Sequence, residues 1–118
     1  MCSLENLSSK RCQPCEGSAK PLAHDQVLNY LNNVQGWQIT DDGKWIFRDL
    51  ILKNFLAAVN LIDNIATVAE SENHHPDIHL TGYRKLRIDL TTHAIGGLSE
   101  NDFIVASKIN ALPMDLKK

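Results

Sequence analysis

The chain has 118 residues, 43% of them apolar and 22% charged, which suits one globular domain and is too apolar for disorder. Twelve Lys and Arg against fourteen Asp and Glu leave a net charge of −2, so the basic surplus of a phosphate-gripping nucleic-acid module is missing and no such partner is expected. No apolar run approaches the roughly 18 residues that cross a bilayer, residues 1–20 lack the apolar stretch of a secretory signal, and three cysteines make an odd count, which argues against a disulfide framework; a reducing cytoplasm is the expected compartment.

Residues 1–23 read as a polar extension rich in Ser, Lys, Gln, Gly and Pro, and the domain proper is placed at 24–118. Within the extension Cys12-Gln13-Pro14-Cys15 has the spacing of half a zinc site, but no second cysteine pair completes a four-ligand set. An exposed turn with two free thiols is expected there, and its purpose is open. From Asp25, Val27, Leu28, Leu31 and Val34 recur at helical spacing, with Gly36 placed to end the segment. Two extended runs follow, 37–40 and 45–52, joined by Asp41-Asp42-Gly43-Lys44, whose Asp-Gly pair signals a hairpin. In the second run Trp45, Phe47 and Asp49 alternate with Ile46, Arg48 and Leu50, so either face could point inward.

The longest element comes next. Phe55, Ala58, Val59, Ile62, Ile65, Ala66 and Ala69 form an apolar stripe at helical spacing, with Asn54 as N-cap. Pro76 then ends the helix by disfavouring helical backbone at His75. A short strand at 77–80 and a turn at Thr81-Gly82 lead into 85–92, where Leu86, Ile88 and Leu90 face one way and Lys85, Arg87, Asp89 and Thr91 the other, with His93 continuing the polar side. Gly96-Gly97 turns the chain, Ser99 to Asp102 has the form of a capping box, and a last helix carries Phe103, Ala106 and Ile109 and ends before Pro113. The order predicts an α+β domain: a four-stranded antiparallel sheet with about three helices packed on one face.

Four of the five histidines, His74, His75, His79 and His93, fall within twenty residues. Imidazole both accepts and donates protons near neutral pH, so the cluster points to acid–base catalysis or to a metal. The metal reading is the weaker one, because no cysteine or paired carboxylate completes a ligand set around the tandem His74-His75. The acid–base reading gains from position: His74, His75 and His93 all border element ends, where catalytic groups concentrate.

These residues carry a family resemblance. Glu70-Ser71-Glu72-Asn73-His74-His75-Pro76, followed by Tyr83, His93 and Asp102, resembles the pterin-4a-carbinolamine dehydratases; Gly36-Trp37, Phe55, Thr92-His93 and Gly97-Leu98-Ser99 add to it, over roughly residues 28–112. The resemblance implies loss of water from a 4a-hydroxytetrahydropterin to give the quinonoid dihydropterin, which recycles the cofactor of aromatic amino-acid hydroxylases, phenylalanine hydroxylase above all. It implies no metal and no organic cofactor, a homodimer or homotetramer, and an antiparallel sheet backed by helices. His74, His75 and His93 are the expected catalytic residues, with His74 and His93 moving the protons. His75, Pro76, Trp37 and Glu70 are the expected substrate-binding residues. Asp102 is expected to serve the helix start, Tyr83 to pack the sheet edge, His79 to be solvated, and His24 carries no signal. Some animal members of the family also assist a homeodomain transcription factor, so an interaction protein on the same fold is the alternative to an enzyme.

Overall fold

The computed structural model describes Cys12 and residues 20–117. Its elements are α1 (His24–Leu31), β1 (Gln38–Ile39), β2 (Ile46–Ile51), α2 (Phe55–Glu72), β3 (Asp77–Thr81), β4 (Lys85–Leu90), a 3-10 turn (His93–Ile95) and α3 (Glu100–Asn110). The predicted order and class hold: three helices accompany a four-stranded antiparallel sheet of order β1-β2-β4-β3. Because β2 and β3 both run antiparallel to β4, they are parallel to each other, and α2 makes the crossover between them.

Register settles the face of β2. Ile46 lies opposite Leu90, Arg48 opposite Ile88 and Leu50 opposite Leu86, so the three share a side with the buried apolar residues of β4. Arg48 is tolerated on that side because its Nη1 donates to Asn110 Oδ1. Partial burial holds its pKa below the usual guanidinium value. On the opposite side Phe47 pairs with Asp89 and Asp49 with Arg87. There the Arg87 guanidinium lies 4.0 Å over the Phe47 ring and bonds Asp89, giving the outer face a polar, cation–π surface.

The helices complete the core against Ile46, Leu50, Leu86, Ile88 and Leu90. Asn54 caps α2 as predicted, its Oδ1 accepting from the Ala57 N–H at 2.8 Å. The buried line of α2 is Ala58, Leu61, Ile65 and Ala69, a stripe rotated from the predicted one: Phe55 is 55% exposed and Ala66 is also exposed. Helix α3 is buried nearly all round from Asn101 to Ala106, as suits an element that other helices cover. Helix α1 stops at Leu31, short of the predicted end, and unwinds through bonds from Asn33 N–H to Tyr30 and Val34 N–H to Leu31. Val34 is still buried, but Leu28 is 41% exposed. Gly36 sits after that turn with φ of +84°, and a Cβ there would meet Arg48 Nε at 2.9 Å, so a residue without a side chain is required.

Candidate active site

The C-terminal end of α2 sets the first histidine. Asn73 closes the helix in the left-handed region, φ 52°, a conformation asparagine tolerates better than most non-glycine residues. The chain thereby turns sharply and His74 is delivered against α3. His74 Nε2 lies 2.7 Å from Asp102 Oδ1. Asp102 is fully buried, and its other oxygen accepts from Thr92 Oγ1 at 2.8 Å and from the Ser99 N–H at 2.9 Å. The carboxylate therefore closes the predicted capping box and also anchors His74, a second role that its position at the helix start did not reveal. A buried carboxylate surrounded by donors is the acceptor of this pair, which puts the imidazole proton on Nε2 and makes Nδ1 the proton-accepting nitrogen of the neutral ring.

His75 is held differently. Its Nε2 lies 2.5 Å from Glu70 Oε2 across the last turn of α2, and both side chains are open to water, 55% and 77% exposed. His93 stands in the 3-10 turn after β4 rather than on the strand, because the backbone closes early: Thr92 N–H bonds Gly97 O at 2.9 Å and Ile95 N–H bonds Thr92 O. The His93 and Trp45 rings form a T-shaped pair, their centroids 5.6 Å apart and their planes at 80°.

These three imidazoles line one cavity of about 460 Å³, together with Thr91, Thr92, Asn101, Glu72 and Cys12. The volume lies in the range of small-molecule sites. Among the described residues no three His, Cys, Asp or Glu side chains are gathered as a metal ion would require. His79 is on the outer sheet face, 3.3 Å from Asp89. Tyr83 is 57% exposed in the β3–β4 turn, with the Arg84 guanidinium over its ring.

Three expected substrate-binding residues stand off the cavity wall. Trp37 is a core residue, 5% exposed, whose Nε1 donates to Asn110 Oδ1 at 2.9 Å; packing and that bond consume the whole side chain. Pro76 is half-buried at the start of β3, and Glu70 reaches the site only through His75. Cys12 also departs from expectation. Instead of lying in an exposed turn it is half-buried against the core, its N–H bonded to Glu72 Oε1 at 2.8 Å. Burial and the neighbouring Glu72 carboxylate push its thiol up to about 12. Cys15 lies outside the described residues. Neither Glu72 nor Cys12 was legible as a site residue, since the spacing of sixty positions between them carries no local signal.

Fold and cavity together define an α+β domain with a histidine-lined cavity of small-molecule size, a setting in which acid–base catalysts are found. Comparison with known proteins makes this specific. The family "Pterin 4 alpha carbinolamine dehydratase" matches residues 20–112, and the chain belongs to it. It is 40% identical over 117 residues to pterin-4-alpha-carbinolamine dehydratase 2, mitochondrial, of Arabidopsis thaliana, covering 97% of this chain and 63% of that protein. The chain thus spans just under two thirds of the plant relative. A Nitrosospira multiformis protein named for the same dehydratase is 40% identical over 109 residues, covering 92% of this chain and 94% of that one. The crystal structure of a transcriptional coactivator/pterin dehydratase from Brucella melitensis superposes with a TM-score of 0.73 at 30% identity, covering 78% of this chain and 97% of that one.

Proposed function

We propose that this protein dehydrates 4a-hydroxytetrahydropterins to quinonoid dihydropterins by histidine acid–base catalysis. The observation that carries the proposal is that His74, His75 and His93 line one cavity, with His74 tied to the buried Asp102. Dehydration needs a proton removed from N5 and a proton given to the 4a-hydroxyl. As C4a–O breaks, the N–H electron pair becomes the C4a=N5 double bond and water departs. His74 suits the acceptor role: its Nδ1 takes the N5 proton while the Asp102 carboxylate stabilises the imidazolium that forms. His93, near the opposite end of the β4–α3 connection and exposed, is the donor to the hydroxyl. His75 binds the pterin, with Glu70 orienting its ring and Pro76 restraining its backbone. Each placed proton transfer contributes roughly 10²–10⁴-fold. No metal or organic cofactor enters this mechanism.

The direct test generates the 4a-carbinolamine enzymatically and follows its decay with and without the protein; decay no faster than in buffer defeats the proposal. In the cell the reaction would recycle the cofactor of an aromatic amino-acid hydroxylase such as phenylalanine hydroxylase, a link supported by the substrate chemistry and checked by whether adding the protein sustains hydroxylase turnover. The Brucella protein's designation as a coactivator favours one further reading, a partner-binding role on the same fold. Intact His74, His75 and His93 support the enzyme instead, since binding a partner does not call for that trio.

A homodimer or homotetramer is part of the same reading. Ile51, Phe55, Leu56 and Leu116 are large apolar residues left exposed around the end of β2 and the start of α2. Light scattering should give a multiple of 13.2 kDa, and a monomer at all concentrations would remove this part of the proposal. Among the described residues no helix is long and apolar enough to cross a membrane. The cytoplasm is the compartment proposed, and the mitochondrial name of the plant relative makes cell fractionation the check.

A further inference from the structure

Glu72 is an unexpected residue in its place. It is the last residue of α2, where the helix dipole disfavours a negative charge, and its side chain is only 3% exposed. A buried carboxylate there needs partners to offset its lost hydration. Lys108 Nζ, from the last turn of α3, supplies charge at 3.3 Å to Oε2. The Cys12 N–H supplies a hydrogen bond to Oε1 at 2.8 Å. The Cys12 Sγ in turn lies 3.6 Å from the Asn101 carbonyl in the first turn of α3. Residue 12 therefore bridges the end of α2, which presents His74, and the start of α3, which supplies Asp102, without contributing to the His74–Asp102 bond itself. Cys12, Glu72 and Asn101 all line the cavity that holds the three histidines.

We propose that Glu72 is a positioning residue that docks Cys12 into the cavity wall, where Cys12 contacts the bound pterin and sets its affinity. The inference rests on reading the cavity as the pterin site. Cys12 acts as a wall and not as a nucleophile, because a thiol that keeps its proton is a poor attacking group. A neutral, polarisable sulfur is well suited to the flat heteroaromatic ring. The histidines and Asp102 keep their own supports when Glu72 is changed, so the effect falls on binding and leaves the chemical step in place.

The test uses the full chain in a Cys2→Ser/Cys15→Ser background, with N-ethylmaleimide labelling of Cys12 read by mass spectrometry and 7,8-dihydropterin as the binding probe. Saturating dihydropterin should slow labelling about tenfold or more, and Glu72→Ala should speed it about tenfold in the absence of ligand. Glu72→Ala should also raise KM about tenfold with kcat held within about twofold, the signature of lost ground-state binding. Cys12→Pro removes both the N–H donor to Glu72 and the thiol while leaving the Glu72–Lys108 pair, so it should reproduce the KM effect without unpairing Lys108. If dihydropterin binds and dehydration is accelerated, yet Cys12 is unprotected and both variants keep the wild-type KM, this inference fails alone. A chain that neither binds dihydropterin nor accelerates dehydration overturns the functional reading beneath it.

Discussion

Two neighbouring histidines make the same kind of bond in opposite surroundings. His74 meets Asp102 at 2.7 Å with side chains 12% and 0% exposed, whereas His75 meets Glu70 at 2.5 Å with side chains 55% and 77% exposed. Distance alone would rank them alike. Water decides otherwise: an exposed pair is screened and exchanges with solvent at little cost, while a buried carboxylate that loses its partner keeps its desolvation penalty. The buried pair can therefore fix a tautomer and support a developing charge, and the exposed pair can only bias a ring's orientation.

The largest effect expected from that contrast is on turnover. Asp102→Asn should lower kcat about 10²-fold, since the neutral amide no longer stabilises the His74 imidazolium, whereas Glu70→Gln should change it less than about threefold; steady-state kinetics on both variants checks this, and equal losses would erase the distinction. Asp102→Asn should also cost about 1–3 kcal/mol of stability in denaturant melts, because one of the Thr92, Ser99 and His74 bonds to the carboxylate is lost inside the protein. A double-mutant cycle sharpens the comparison further. The His75–Glu70 coupling in stability should fall within about 0.2–1 kcal/mol and shrink in high salt, with the His74–Asp102 coupling larger and insensitive to salt.

Sequence made much of this legible, and the reasons it stopped are physical. Local signals read well: the Asn54 cap, the alternation of Leu86, Ile88 and Leu90, and the Ser99–Asp102 box are each written within a few residues. The inward face of β2 was not, because Arg48 on the core side needs Asn110, sixty-two positions away, to be tolerable. The tandem histidines before Pro76 both line the cavity, but periodicity could not tell that α2 buries Leu61 in place of Ala66. Trp37 lies in the core and off the cavity wall, a placement the sequence leaves open because a tryptophan beside a helix-ending glycine fits either and only packing distinguishes them. Asp102 showed its cap and hid its histidine; Cys12 and Glu72 meet only in three dimensions.

Smaller effects test the supports of the site. Asn73→Ala should destabilise by about 1 kcal/mol, the cost of left-handed backbone for a residue with a Cβ and no amide, with Asn73→Gly near neutral. The Cys12 thiol, displaced from the ordinary 9.0 to about 12, stays protonated where an ordinary thiol ionises. Its labelling rate should still climb through pH 10 with no plateau near 9, because the reactive thiolate fraction keeps growing until the shifted pKa is passed. A plateau near 9 would show that Cys12 does not sit against Glu72.

The central claim is that His74 and His93 carry the protons, and the most direct measurement is the single-turnover dehydration rate of His74→Ala and His93→Ala beside the wild type. Each variant should lose roughly 10²-fold or more while remaining folded. Near wild-type rates in both would contradict the account.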